Sequence, residues 1–186
     1  MNKWIFEPGH TAAEFCVRHM MVTWVRGHFK NIQGWLFFDP ANPRAASVEV
    51  TIDARAIWSG ESDRDAHLRS ADFLDVANHP QIFFKGSEVE VTGENDGRLI
   101  GELTIRGVTR KAPLAVRYLG QWQTPWWEGG IDKGPKTRAG FMATTKINRL
   151  DFGVSWNAPL EKYGVVVGNT VDITIDAEAI LETPVP

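Results

Sequence analysis

Apolar and polar residues alternate through most of this chain, a period that suits a half-buried strand and not a helix. The cleanest run sets Val48, Val50 and Ile52 against Glu49, Thr51 and Asp53. The pattern returns at Ala13, Phe15, Val17 and His19, at Ile82 and Phe84 within 81–92, and at Leu99, Gly101, Leu103 and Ile105. It returns again at Ala112, Leu114, Val116 and Tyr118 within 108–121, at Ala139, Phe141, Ala143, Thr145 and Ile147, and at Val171, Ile173, Ile175 and Ala177. Residues 4–7 predict a short strand, and 25–39 a longer one bent at Gly27 and Gly34. Asn95-Asp96-Gly97 is a hairpin signal, and Gly107 turns the chain before 108. Residues 40–43 and 123–136 read as loops, and 151–167 as irregular. About eight antiparallel strands with one apolar face follow, making the chain all-β (mainly β). Long, glycine-bent strands favour a closed barrel over a sandwich, because closure removes exposed edges.

One stretch breaks the rule. Residues 62–74, SDRDAHLRSADFL, predict a helix. Ser62 and Asp65 fit a capping box, and Asp65 and Arg69 an i, i+4 ion pair. With only Leu68, Phe73 and Leu74 as apolar anchors, such a helix must lean on the strands as a lid or plug.

A chain of 186 residues is long enough for one domain, 1–186, with a sizeable core. Its net charge of −3 gives no footprint for nucleic acid or an anionic membrane. Cys16 is the only cysteine, so no internal disulfide can form. The start, MNKWIFEPGH, has no apolar leader core, and no run approaches the length of a membrane span. The expectation is a cytoplasmic chain, periplasmic only if a leader was removed. A homodimer is compatible with it.

An eight-stranded barrel is wide enough either for a packed core or for one small ligand. Ala13, Gly101, Ala112, Ala139, Ala143 and Ala177 are small inward positions, and the sequence leaves both interiors open. The five histidines, His10, His19, His28, His67 and His79, lie at no recognised ligand spacing, so no metal or cofactor is expected. Cys16 falls on the outer side beside Arg18, without a base to activate it. Arg64-Asp65, with Arg106, Arg110, Arg138 and Arg149, offers guanidinium forks to an anionic head group. The plainer reading makes them ion pairs at turns and helix ends. Asp151 has no second carboxylate placed to share acid–base work.

Several phrases taken together carry a resemblance. They are HTAAEFCVRH (10–19), VRGHF (25–29), SVEVTIDA (47–54), RDAHLRSADFLD (64–75), HPQIFF (79–84), GELTIRGVTR (101–110), RAGFMATTKINR (138–149), DFG (151–153) and VGNTV (167–171). In order and spacing the chain resembles the YceI-like, polyisoprenoid-binding family over nearly its whole length. The resemblance implies a lipocalin-like antiparallel barrel with one short helix, binding an isoprenoid or related long-chain amphiphile inside and carrying no defined catalytic activity. On that reading Phe15, Val17, Phe29, Phe84, Leu103, Leu114, Val116, Phe141 and Ile173 line a tunnel. His19, Arg64 and Arg138 are the candidate head-group contacts. Two alternatives stand beside it: an enzyme acting on such an amphiphile with His19 or Arg64-Asp65 at the mouth, and a solid-core barrel using Trp126 and Trp127 as an interaction patch.

Overall fold

Each run of alternation becomes a strand, and the strands join edge to edge into a ring. The computed structural model describes residues 1–182. In chain order the strands are β1 (Asn2–Phe6), β2 (Ala12–His19), β3 (Thr23–Phe29), β4 (Gln33–Phe38), β5 (Ser47–Asp53), β6 (Gln81–Val91) and β7 (Asp96–Ile105). After them come β8 (Val108–Thr124), β9 (Trp127–Glu128), β10 (Ile131–Asp132), β11 (Lys136–Asn148) and β12 (Val167–Leu181), with one helix, α1 (Ser62–Arg69), between β5 and β6. Every pairing is antiparallel.

The ring closes on β12. One of its edges holds β11 along its length, while the other is shared by β2, from Val171 to Asp176, and β1, from Ala179 to Leu181. β1 and β2 thus form one stave broken at the Pro8-Gly9-His10 turn, and β3 and β4 form the next. Counted this way the barrel has eight staves, as the alternation predicts. The second break differs from the expected one. The run 25–39 parts at Lys30–Ile32, where Asn31 takes a positive φ of 57°, and not at its glycines. The loop expected over 123–136 is shorter, because β8 runs on to Thr124 and the small β9–β10 ribbon fills the rest. Between β7 and β8 the chain reverses in two residues, Arg106 and Gly107, both at positive φ (50° and 72°), as a tight hairpin turn requires.

The helix is shorter than predicted and is held differently. Glu61, one residue before it, is the N-cap and accepts from the N–H groups of Asp63 and Arg64. Asp65 makes no pair with Arg69. It is buried, and accepts from Ser59 N–H at 2.8 Å and Ser59 Oγ–H at 2.5 Å. Arg69 donates instead to the carbonyls of Arg55 (2.8 Å) and Ile57 (2.9 Å). A polar helix with one apolar anchor therefore fastens to the chain leaving β5 by hydrogen bonds. Phe73, from the turn after the helix, packs with Ala54, Ile82, Ile105, Phe152 and Val154 and seals that end of the barrel.

Arg149 completes the seal. It is 5% exposed, and among the described residues it forms no ion pair with a carboxylate. Its guanidinium donates to the carbonyls of Gly168 (2.9 Å), Val154 (2.7 Å), Trp156 (2.9 Å) and Val167 (3.2 Å). Burial lowers its pKa from the ordinary arginine value, yet arginine stays charged at neutral pH. Arg149→Ala strands these carbonyls in a dry site and should cost at least ~2 kcal/mol, read as a lower urea midpoint with unchanged slope. Arg149→Lys, which has no planar fork, should recover only part of that loss.

Candidate ligand cavity

The inward side chains do not meet on the barrel axis. They surround a cavity of about 320 Å³. Its floor is built by Phe29, Ile52, Ile82, Leu103 and Ile105, resting on the cluster that Phe73 closes. Its waist is Val50, Phe84, Ala112, Leu114, Val116, Ala143 and Ile175. Small residues on β8 and β11 decide that this space stays open: Ala112 and Ala143 face it from adjacent staves, where larger residues would meet Phe84. Gly101 makes room in another way. A Cβ there would lie 2.6 Å from the Phe84 ring, so the missing side chain leaves the ring its place.

Toward the other end Phe38, Tyr118 and Phe141 form an aromatic trio, with ring centroids 5.0, 5.1 and 5.4 Å apart. Beyond them the lining passes to exposed residues: Pro40 after β4, and Val91, Glu94, Asn95 and Arg98 around the β6–β7 hairpin. The mouth lies there, opposite the helix. Its charges are mostly paired: Asp96 accepts from Arg117 at 2.8 and 3.2 Å, and Arg98 stands 3.6 Å from Glu90. The cavity is thus a one-ended apolar sleeve with polar groups gathered at its lip.

The tunnel residues read from the sequence, Phe15, Phe29, Phe84, Leu103, Leu114, Val116, Phe141 and Ile173, all lie on the cavity wall. Val17 does not. It sits between Val171 and Val25, nearer the sealed end. The three residues expected near a head group are not on the wall either. His19 ends β2 opposite Val167, at the sealed end. Arg64 donates to Ser59 Oγ (2.7 Å) and Ser59 O (2.8 Å), locking the helix start. Arg138 pairs with Glu178 at 2.6 Å, lies over the Trp126 ring at 5.1 Å and donates to Thr124 Oγ1 and Pro125 O. The helix expected as a lid or plug closes the end opposite the mouth, so Arg64-Asp65 does not stand at the mouth as the enzyme alternative had it. Trp126 is half-buried beneath Arg138, while Trp127 is exposed. Among the described residues no group of three or more His, Cys, Asp or Glu side chains could hold a metal ion.

Sequence reasoning missed the rim. Phe38 lies at the end of the run 25–39, and Tyr118 shares a face with Ala112, Leu114 and Val116, with nothing in either pattern to mark a rim. The connections 39–46 and 92–95 carry no periodic signal, and only their return to the barrel axis makes them lip residues.

Comparison with known proteins places this geometry. The model of the YceI-like domain matches residues 4–179. A UPF0312 protein of Ectopseudomonas mendocina (strain ymp) is 36% identical over 146 residues, covering 78% of this chain and 72% of its own. A Campylobacter jejuni YCEI protein superimposes with a TM-score of 0.73 and 25% identity, covering 89% of this chain and 90% of its own. A polyisoprenoid binding domain from Saccharophagus degradans, implicated in plant cell wall breakdown, shares the fold with a TM-score of 0.65 and 12% identity, over 98% of this chain and 99% of its own.

Tyr118 reports on the rim. Burial raises its pKa from the ordinary value of 10.0. Because the folded value is the higher one, its contribution is fully present below the unfolded pKa and is lost as pH rises through the folded one. In a Tyr163→Phe variant Tyr118 is the sole tyrosine, and its phenolate absorbance should appear above pH 10. Occupation of the cavity should move that titration higher still, as more water is excluded.

Proposed function

The chain belongs to the YceI-like family, and from that premise we propose that it binds and carries an isoprenoid or related long-chain amphiphile, tail first, in the barrel. The observation carrying this reading is the apolar sleeve itself, sealed at the helix and open at the β6–β7 hairpin. The Saccharophagus degradans domain, which shares the fold, is described as polyisoprenoid-binding, and this supports the same ligand class here. Binding, not turnover, is the reading the geometry favours. His19, Arg64 and Asp65, the residues an enzyme reading relied on, lie at the sealed end, and the last two are held by Ser59.

At about a water's ~30 Å³ per carbon, the cavity takes on the order of ten carbons, or two isoprene units. Ten carbons at ~0.8 kcal/mol each give roughly 8 kcal/mol of gross burial, a micromolar ceiling before ordering costs. A longer tail would leave its outer carbons at the rim. The head group would sit among Glu94, Asn95, Asp96 and Arg98, where the paired charges suit an uncharged head better than a phosphate.

A series of prenyl alcohols of increasing length, titrated by tryptophan fluorescence, tests this. Affinity should rise steeply through the first two units, by roughly fourfold per added carbon at most, and level off once the sleeve is full. A flat series, or equal binding of short polar alcohols, would sink the proposal. Ala143→Phe, which places a ring in the waist, should weaken binding at least tenfold with an unchanged far-UV spectrum.

A further inference from the structure

Strand β3 has one edge on β2 and another on which, among the described residues, only Trp58 forms backbone hydrogen bonds. His28 N–H donates to Trp58 O at 2.8 Å, and Trp58 N–H to His28 O at 3.1 Å. His28 therefore turns its backbone groups away from β2. By the alternation of an antiparallel ladder, Arg26 and Trp24 do the same. Beyond the Trp58 bridge no described strand pairs with this edge, so the N–H and C=O groups of these two residues have no partner on the barrel. Their side chains stand on the outer face, exposed, beside Val22 (79% exposed) and Trp58 (54%).

We propose that this edge is a self-association surface, on which a second copy of the chain adds its own β3 antiparallel about a two-fold axis at Val25. That register sets Trp24 opposite the second copy's Arg26, and Arg26 opposite the second copy's Trp24. Each pair exchanges two N–H···O bonds, so the four unpaired groups on each copy are all satisfied. The side chains match as well. Arg18 already covers one side of the Trp24 ring at 5.3 Å, and the second copy's Arg26 reaches the other, so a cation faces the electron-rich indole on both sides. Past these pairs, Val22 meets the second copy's Trp58, which occupies the place beyond His28. An unrelated extended peptide would satisfy the hydrogen bonds but not the reciprocal Arg–Trp contact. That reciprocity singles out a second copy. The mouths lie at the far ends of both barrels and stay open.

Sedimentation velocity of the full chain over a concentration series tests the inference, the expected result being a monomer–dimer equilibrium. Arg26→Pro removes an N–H that the β2 ladder does not use, so it should give a monomer with an unchanged far-UV spectrum. Trp24→Ala should weaken the dimer. In the Cys16→Ser/Val25→Cys variant the new cysteines face each other on the axis as a non-hydrogen-bonded pair. Their Cα separation of about 4.5 Å lies within disulfide reach, so mild oxidation should yield a covalent dimer even if the proline variant fails to fold. A native chain that stays monomeric throughout, a dimer that survives Arg26→Pro in folded protein, or an absent cross-link overturns the proposal. So does a monomer that takes up extended peptides at this edge instead.

Discussion

Eight staves fix the width of the barrel, and the size of the side chains turned inward then decides whether anything is left on its axis. Small barrels of this width can be filled by their own residues. Here Phe15, Phe29, Phe84 and Phe141 carry the bulk on some staves, while Ala112 and Ala143 face them from β8 and β11. Phe84 has room for its ring because Gly101 on the neighbouring strand has no side chain. A void lined this way stays open only if its walls cannot collapse, and the hydrogen-bonded wall, which closes fully in its half nearer the mouth, supplies that stiffness. Everything said of a ligand rests on this mismatch between ring circumference and side-chain volume.

The two ends of the sleeve are treated in opposite ways, and arginine accounts for much of the difference. At the sealed end, loops and a polar helix have carbonyls that no strand satisfies. Arg149, Arg106 and Arg69 donate to carbonyls of Gly168, Phe73 and Ile57 among others. A guanidinium can serve several carbonyls at once without a carboxylate, because it carries five donors in one plane. At the mouth the arginines pair with acids instead, Arg117 with Asp96 and Arg98 with Glu90, and these side chains stay exposed. Residue type alone does not separate these roles. This is why the sequence leaves two readings for its guanidinium forks, head-group contact or bonds at turns and helix ends, while the positions of Arg69, Arg106 and Arg149 against carbonyls follow only from the fold.

The barrel was legible in the chain because side-chain period is a local property: two residues suffice to say which face each occupies. That is how Leu103, Leu114, Phe141 and Ile173 could be placed on the inner wall before any fold was known. Val17 shares their parity but misses the cavity, since parity fixes the face of a strand and says nothing of height along the barrel. Helix capping failed for a related reason. Ser62 and Asp65 have the right spacing, yet Ser59, outside the helix, offers Asp65 two donors where a box would use one. Long-range competition of that kind leaves no trace in spacing. The break at Lys30–Ile32 is of the same sort, forced by the need for β4 to turn onto β1 while β3 stays on β2.

That break also explains why a barrel, a fold that abolishes edges, has one. Because β1 and β2 share one edge of β12, the half of the wall nearer the mouth closes through β1, β4 and β5, whereas the half nearer the helix ends at β3. β5 would cover β3 if it continued straight. It turns at Asp53 instead, where the carboxylate accepts from Arg55 N–H at 2.9 Å and pairs with the Arg55 guanidinium at 2.8 Å. The chain then returns only far enough for Trp58 to meet His28 before leaving to form the helix. The seal under the cavity and the open edge of β3 are therefore products of one choice: the segment that could have finished the wall was used to make the floor.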